Sequence, residues 1–476
     1  MILKPADLLG KYKYEALTAL MLLLFLLYKL PFMALPYYYD EAWPYAVAIR
    51  TVHANGLSLL PTALDPELSR GHPVMFHFLG ASWMRVFGTS LWSGHSFAML
   101  ISLLTAFFTF KFAQRFFSAR IGAVTVLLLI TQALFISHSA FLLPEMPMAL
   151  WTILCFWFFF SRKKVAFVIC AAAMLLTKES GAVLICSLVL SELVDFLMGK
   201  ERKFIDLVKR ELLIGYPVAI AFIYFLAQKI IYGWFLFPFY MNNLKSGLAS
   251  FLEDLTSGTA FIFIYEGRNG LMFFVLVGII MLWFSKKVNI PPHQKKICWY
   301  LFSFVLLYII FSTYNYYMPR YLTAVFPAFI IVCVFIIDSA FGKWRLVYPV
   351  IITGLAVTNI YYYVTATDHG DCDYSPSLHV AMKMIDHCEQ RGMHDAHIYT
   401  TCVLRYDFNE PYAGFIKGKK FTHIDWQFGP ETEYCIFSSD ENDLTEIDKI
   451  KRENKLTLET KFTEKDRWIE LYRVTR

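Results

Sequence analysis

Charged residues are scarce in this chain. Lys, Arg, Asp and Glu make up 17% of its 476 residues, whereas 57% are hydrophobic and 18% aromatic, and the mean hydropathy is +0.48. Soluble globular proteins carry about 25% charged residues, so this composition excludes a set of soluble domains. The apolar excess ends near residue 365, and the chain beyond it has an ordinary composition. We therefore predict a polytopic α-helical membrane protein with a soluble tail.

Several chemical signatures are also absent from the sequence. There is no glycine-rich loop of the kind that holds nucleotide phosphates, and no Cys or His spacing suited to zinc. The net charge of +6 is spread over short clusters, which excludes a nucleic-acid-binding face. Four cysteines lie in the tail, namely Cys372, Cys388, Cys402 and Cys435. If the tail is in an oxidising compartment, one or two disulfides are open to it, with three pairings for a fully oxidised set.

Eleven apolar blocks approach the roughly 20 residues that cross a bilayer. They cover about 16–35, 93–113, 121–140, 145–161, 165–178, 180–198, 211–229, 268–285, 297–313, 321–339 and 345–364. Basic clusters separate alternate blocks and all fall on one side, which the positive-inside rule identifies as the cytoplasm. We expect a cytoplasmic N-terminus, an extracytoplasmic tail, and a bacterial inner or plasma membrane location.

This topology divides the chain into two predicted domains. Residues 1–364 form the transmembrane domain, with long outer loops at about 36–92 and 230–267, and residues 365–476 form a small extracytoplasmic α/β domain. In the tail, the patterns predict a helix over 377–391 that ends at Gly392, strands at 397–404 and 434–437, a helix over 441–454, and a hairpin from 456–462 and 468–474.

The informative ionisable residues lie where predicted spans meet the outer face. Asp40 and Glu41 follow the first span, Glu145 begins the fourth, Lys178 ends the fifth, and Arg320 precedes the tenth. Singly, each has an ordinary explanation: a solvated helix end, a helix dipole, or a snorkelling side chain. Together on one face they suggest a site that acts on a lipid-linked substrate. Two cations suit binding of a lipid phosphate, and a carboxylate suits removal of a hydroxyl proton.

Short motifs around these residues follow one another in a characteristic order. They are Asp40-Glu41, Gly71-His72-Pro73, Phe87-Gly88-Thr89-Ser90, Leu142-Leu143-Pro144-Glu145, Leu176-Thr177-Lys178 and Pro319-Arg320-Tyr321-Leu322. In this order they resemble the GT-C glycosyltransferases of the protein O-mannosyltransferase and aminoarabinose (lipid A) transferase type, over roughly residues 1–340. The chain departs from that pattern at Glu145, where Asp is frequent, at His95, where Arg is common, and at the single Pro73.

The resemblance implies a hexosyl- or pentosyltransferase. It would move a sugar from a polyprenyl-phosphate donor, with inversion and on the extracytoplasmic face, to a lipid A-type glycolipid, a cell-surface glycan or a protein hydroxyl. The implied catalytic residues are Asp40, Glu41 and Glu145, with Asp40 as the central acid. Contacts to the donor phosphate are implied for Lys178, Arg320 and Tyr321, and substrate contacts are expected for His72, Arg70 and Tyr317.

Two other functions stay open at this stage. A transporter or flippase of lipid-linked saccharides would keep its charges near the middle of the spans, often with paired repeats, and no repeat is visible here. An assembly scaffold would need no gathering of acids and cations on one face. No cofactor is demanded; two acids and a histidine near a phosphate are compatible with a divalent cation, but no spacing requires one.

Overall fold

The computed structural model describes residues 12–198, 203–242, 247–285, 290–314, 317–365, 375–400, 402–440 and 444–475. The α-helices are α1 Lys13–Lys29, α2 Val47–Asn55, α3 Pro66–Ser69, α4 Met75–Phe87, α5 Leu91–Phe116, α6 Ala119–Ile130, α7 Ala133–His138, α8 Glu145–Phe160, α9 Lys164–Leu175, α10 Ala182–Met198, α11 Phe204–Tyr232, α12 Pro238–Asn242, α13 Leu248–Phe263, α14 Arg268–Phe284, α15 Pro292–Tyr314, α16 Phe326–Phe341, α17 Val347–Thr365, α18 Ser375–Gln390, α19 Cys402–Asn409 and α20 Leu444–Glu453. The strands are β1 His397–Thr400, β2 His423–Asp425, β3 Tyr434–Ser438, β4 Leu456–Glu464 and β5 Arg467–Val474.

The first three quarters of the chain, to Thr365, are a bundle of apolar helices. In the described ranges, seven segments are long and apolar enough to cross a membrane, and an eighth span arises if α13 and α14, which meet at 78°, are counted as one broken span. Three shorter apolar helices, α6, α8 and α9, accompany them. Each predicted block overlaps a helix, so the polytopic helical fold is confirmed, while the number of eleven crossings stays a prediction.

Small and hydroxylated residues let the central helix α5 pack closely against its neighbours. Ser102, Thr105 and Thr109 are fully buried, and each hydroxyl donates to the carbonyl four residues earlier at 2.7–3.0 Å. Buried Ser and Thr side chains of this kind allow helix backbones to approach inside a bilayer. At its start, Ser90 Oγ accepts from the Ser93 amide, an N-cap that fixes where α5 begins.

The tail contains a five-stranded sheet in the order β2-β1-β3-β5-β4. β1 pairs with β2 and β3 in parallel, whereas β5 is antiparallel to both β3 and β4. The predicted helix, second strand, polar helix and hairpin are all present, and Gly392 follows α18 with a φ of +67°. The small α/β tail is therefore confirmed.

Two details of the tail prediction were wrong. The strand expected over 397–404 ends at Thr400, and α19 begins at Cys402. The segment 397–404 is rich in β-branched and aromatic residues throughout, so pattern alone cannot locate the turn into a helix that packs on the membrane domain. The short strand β2 was missed. Cys388 and Cys435 are buried free thiols, while Cys372 and the side chain of Cys402 lie outside the described residues.

The tail packs directly on the segment that follows α1. The Tyr37 amide donates to Ala413 O at 2.8 Å, and Tyr412 Oη donates to Ala42 O at 3.1 Å. The ring of Trp43 stacks on Tyr406 of α19 with centroids 5.1 Å apart. The segment 37–46, which carries Asp40, is therefore held between the helical bundle and the tail.

Candidate active site

Asp40 forms an ion pair with Arg320 across 280 positions of sequence. Asp40 lies in a short 3-10 turn, Tyr39–Glu41, and Arg320 lies in another, Pro319–Val325, just before α16. The Asp40 side chain is 32% exposed, whereas that of Arg320 is 3% exposed. A buried guanidinium requires an anionic partner, so Asp40 is the outward half of a pair whose cation is fixed inside the protein.

A second ion pair joins Glu145 to Lys178. Lys178 Nζ lies 2.9 Å from Glu145 Oε1, and both side chains are at least nine-tenths buried. Glu145 is the first residue of α8, where the helix dipole also stabilises a negative charge. Among the described residues its second oxygen, Oε2, accepts no hydrogen bond, so the carboxylate retains capacity for one more donor.

Tyr321 connects the two ion pairs. Its ring lies under the Lys178 ammonium, with Nζ 3.8 Å from the ring centroid, and it follows Arg320 directly in the chain. Tyr45 is buried beside the same groups, and burial, reinforced by the negative charge of Glu145, raises its pKa well above the ordinary value. Two acids and two cations thus share one buried polar centre.

His72 links the first outer loop to this centre. Its Nδ1 lies 2.7 Å from Glu179 Oε2, one residue beyond Lys178, and its Nε2 lies 3.0 Å from Tyr240 Oη. The imidazole also stacks on the Tyr240 ring at 5.2 Å. His72 is 5% exposed, so it fixes the relative positions of two outer loops beside Lys178.

Glu41 points away from its neighbour Asp40. Its Oε1 accepts from the Leu142 amide at 2.8 Å and lies 3.0 Å from His95 Nε2. The side chain is 1% exposed, so it fastens the segment 37–46 to α5 and to the loop before α8. It also gives His95, where the related pattern has Arg, a definite partner. A catalytic role for Glu41 stays a prediction.

The remaining predicted substrate contacts lie around the rim. The guanidinium of Arg70 lies 5.6 Å from the Trp43 ring centroid and 4.9 Å from that of Phe239. Tyr317 is half-buried and faces Gly258 of α13. Arg70 therefore stands between the segment 37–46 and the second outer loop, while Tyr317 packs beside α13.

The sequence did not single out three residues of this centre. Glu179, Tyr240 and Tyr45 were missed, although Glu179 is adjacent to Lys178 and Tyr240 ends the aromatic run Phe237-Pro238-Phe239-Tyr240. An aromatic run after a long apolar helix is typical of the membrane interface. That signal could have indicated a loop returning to the outer face, but not its contact with His72.

An apolar cavity of about 500 Å³ opens beside Lys178. Its polar end is formed by His72, Lys178, Glu179, Ser180, Tyr240 and Tyr321. The walls are apolar side chains of α11 and α15 and of the segment after α11, among them Val218, Phe222, Phe225, Phe237 and Phe311. The cavity therefore combines apolar walls with the buried ammonium of Lys178 at its polar end. It suits an amphiphile that carries a negative headgroup.

The described residues contain no group of three or more His, Cys, Asp or Glu side chains placed to hold a metal ion. In the site itself, Asp40 faces Arg320 and Glu145 faces Lys178.

The backbone arrangement matches solved structures over nearly the whole chain. The structure of ArnT from Cupriavidus metallidurans bound to undecaprenyl phosphate superimposes with a TM-score of 0.59 at 14% identity, covering 97% of this chain and 98% of that one. The apo structure of the same ArnT gives a TM-score of 0.56 at 14% identity, covering 94% and 97%. This chain has the same fold as ArnT.

A family model matches part of the sequence. The model described as dolichyl-phosphate-mannose-protein mannosyltransferase matches residues 71–231. No curated protein sequence matches significantly. The matched range includes His72, Glu145 and Lys178. At 14% identity the likeness to ArnT shows the fold alone.

Proposed function

We propose that this protein is a membrane glycosyltransferase. It takes a sugar from a polyprenyl-phosphate donor and transfers it to a hydroxyl or phosphate of an extracytoplasmic acceptor. The observation that carries the proposal is the buried Lys178, held by Glu145 at the polar end of the apolar cavity and next to the Asp40–Arg320 pair. The polyprenyl chain occupies the cavity and its phosphate meets Lys178. The undecaprenyl phosphate bound in the related fold supports this choice of ligand.

The Asp40–Arg320 pair gives donor binding a chemical consequence. Arg320 carries a single positive charge, so a donor phosphate competes with Asp40 for it. When the phosphate takes Arg320 and Lys178, Asp40 is released and its carboxylate becomes free to accept a proton. The site thus holds its base in an ion pair until the donor arrives.

The transfer step then balances without a further reactant. Asp40 accepts the proton of the acceptor hydroxyl as the oxygen attacks the anomeric carbon. The bond from that carbon to the phosphate oxygen breaks, and its electron pair leaves with the polyprenyl phosphate, whose charge Lys178 and Arg320 neutralise. Attack opposite the leaving group inverts the anomeric centre.

The positions of the charges favour this function over transport. Glu145 is the first residue of α8, Lys178 follows α9, and Arg320 precedes α16. Charges at the ends of helices face a membrane surface, whereas a transporter concentrates them near the bilayer midplane. A flippase of lipid-linked saccharides is therefore the alternative that the experiment must separate.

The test uses purified full-length protein in liposomes with a panel of polyprenyl-phosphate sugars and a membrane extract that supplies acceptors. Release of polyprenyl phosphate is followed by mass spectrometry. Asp40→Asn should lower the rate by at least roughly 100-fold, the scale of a lost general base. Asp40→Glu retains the charge beside Arg320 but displaces the carboxylate, so it should be impaired while staying folded.

Asp65→Asn is the matched control. Asp65 is an exposed acid in the same outer loop, and Asn can replace it as the N-cap of α3, so its rate should equal that of wild type. Lys178→Ala and Arg320→Ala should chiefly raise the donor concentration needed for half-maximal rate. Wild-type turnover by Asp40→Asn would refute Asp40 as the base, and lipid translocation without release would favour the flippase.

A further inference from the structure

A second large cavity lies at the opposite ends of the helices that wall the first one. It has a volume of about 490 Å³ and is lined by the start of α9, by Glu192 of α10, and by the first turns of α11 and α15. α11 has 29 residues, which at about 1.5 Å per residue is enough to span a bilayer. The two cavities are therefore on opposite membrane faces.

The lining of this second cavity is basic. Arg162, Lys164, Lys209, Arg210 and Lys296 face Glu192 and Asp206, an excess of three positive charges. Glu192 organises part of the set, because it accepts from Arg210 at 2.7 Å and from Tyr300 Oη at 2.7 Å, with Lys296 at 3.5 Å. These bonds tie α10, α11 and α15 together and give the cavity a fixed shape.

Three of these cations have no acidic partner in the part of the chain that the structure describes. Arg162, Lys164 and Lys209 form no ion pair there. In contrast, Arg210 pairs with Glu192, and Lys296 pairs with Glu192 and Asp195. The three unpaired side chains are exposed at the mouth of the cavity. They supply charge that is available to an external anion.

The other side of the cavity is apolar and aromatic. Phe116, Phe159, Phe160, Leu213 and Ile297 line it, and these side chains lie where helix ends meet the hydrocarbon edge. A soluble anion would gain nothing from this wall, whereas acyl chains would bury against it. The combination of free cations and apolar wall is that of a phospholipid site, since basic pockets between membrane helices bind anionic headgroups.

We propose that this cavity binds an anionic phospholipid of the leaflet opposite the active site. The phosphate pairs with Arg162, Lys164 and Lys209, and the acyl chains lie against Phe159 and Phe160. The site is independent of the proposed transferase activity, because none of its residues belongs to the Asp40 or Lys178 centre. Its occupant would brace the ends of the helices that also form the donor cavity.

The test titrates purified full-length protein in a zwitterionic detergent and counts bound ligand by native mass spectrometry. Three probes are compared: phosphatidylglycerol, phosphatidylcholine and inorganic phosphate. The triple variant Arg162→Gln, Lys164→Gln, Lys209→Gln should bind phosphatidylglycerol roughly 10- to 100-fold more weakly than wild type, given about one charge contact per residue lost.

A matched triple variant removes the same number of charges from the same membrane face outside the cavity. Arg115, Lys343 and Arg345 are exposed basic residues at the ends of α5 and α16, and their replacement by Gln should leave phosphatidylglycerol binding unchanged. Thermal unfolding midpoints report whether each variant is folded. If the cavity variant is not folded, its three single substitutions are measured instead. Each should lower the affinity for phosphatidylglycerol by less than the triple variant would.

Three results would overturn the proposal. Equal losses in both triple variants would mean a diffuse attraction to the surface rather than a site. Equal retention of phosphatidylcholine and phosphatidylglycerol by wild type would remove the role of charge. Binding of inorganic phosphate as tight as that of phosphatidylglycerol would make this a site for soluble anions.

Discussion

The two ion pairs of the site determine what single substitutions can reveal. Removing Lys178 leaves the buried Glu145 without its cation, at a typical cost of about 3–5 kcal/mol for a buried pair. Removing Arg320 leaves Asp40, which is 32% exposed, without its cation and should cost less. Loss of activity in such variants therefore mixes chemistry with folding. Substitutions that retain charge, such as Asp40→Glu, separate the two contributions because they keep the pair and move the reacting atom.

His77 offers a test of folding that is separate from the catalytic charges. It lies in α4 outside the candidate spans, is fully enclosed by groups that include Tyr45 and Phe76, and neither ring nitrogen has a hydrogen-bond partner among the described residues. Burial, with a further contribution from His72, lowers the pKa of His77 to about 3. The imidazole is therefore neutral in the folded protein.

We expect this histidine to make the fold sensitive to acid. Since its folded pKa lies below the unfolded value near 6.5, the unfolded chain binds the extra proton between about pH 6.5 and pH 3, and stability falls as the pH falls through that window. By pH 5 the loss is about 2 kcal/mol. His77→Phe should remove it.

Thermal midpoints of detergent-solubilised protein at pH 7.5 and pH 5 measure this effect. The drop between the two pH values should be smaller in His77→Phe than in wild type, while His53→Gln, a more exposed histidine of α2, should behave as wild type. Identical drops in wild type and His77→Phe would show that His77 is not the group responsible.

For individual residues, the sequence identified the ionisable side chains of the site but not which acid pairs with which cation. Asp40, Glu145, Lys178 and Arg320 stand out because charge at a membrane edge is rare. Which acid faces which cation depends on how α8, α9 and α16 pack, and nothing local in the sequence encodes it. The Glu41–His95 pair was hidden for the same reason, since its members are 54 positions apart.

Among the elements, the close approach of two outer loops is the most restrictive feature. Gly71 has a φ of +70°, and a Cβ placed there would lie 2.1 Å from Phe237 Cβ. The backbone of Gly71, in the loop that holds His72, therefore packs directly against Phe237, in the segment that carries Tyr240. Only glycine meets both the left-handed conformation and the lack of space.

Gly71→Ala should therefore separate His72 from Tyr240. Overlap with a Cβ cannot be relieved by rotating a side chain, so the segment that contains Phe237 must move. We expect binding of polyprenyl phosphate, measured by native mass spectrometry, to weaken by roughly tenfold or more, with destabilisation of about 1–3 kcal/mol.

Gly56→Ala controls for backbone strain alone. Gly56 has a φ of +109° but nothing within 4 Å of the position of an added Cβ. It should lower stability without changing lipid binding. If both alanine variants bind polyprenyl phosphate as wild type does, the contact with Phe237 has no role in the donor cavity.

The elements themselves were largely predictable from the sequence, for reasons that differ between the two parts of the chain. In the membrane part, apolar runs overlap the helices because lipid requires every backbone amide to bond within its own segment. In the tail, the hairpin of β4 and β5 could be predicted from local alternation. The boundary between β1 and α19 could not, because it depends on contacts with Trp43 and the rest of the segment 37–46.

For the whole molecule, the structure puts the tail and the candidate active site at the same end of the bundle. Tyr37 and Ala42 bond to Ala413 and Tyr412, whereas Arg162 and Lys343 lie at the other ends of the helices. The positive-inside rule assigns that opposite end to the cytoplasm. We therefore expect a reporter fused after Arg476 to be active only outside the cytoplasm.

A fusion after Lys343 gives the complementary measurement and should report the cytoplasm. Each position is fused in turn to two reporters, one active only outside the cytoplasm and one active only inside it. The two results then check each other. An active cytoplasmic reporter after Arg476 would invert the orientation and put the donor cavity in the wrong leaflet for an extracytoplasmic transferase.

The contact between Tyr412 and Ala42 spans 370 positions of sequence. A ribosome adding about 5–20 residues per second therefore releases the segment around Asp40 many seconds before the part of the chain that holds it in place. The membrane helices can insert in the meantime, but this early segment acquires its final neighbours only when the tail has been synthesised and has folded over it. Completion of the candidate active site is consequently among the last events in the biogenesis of the protein.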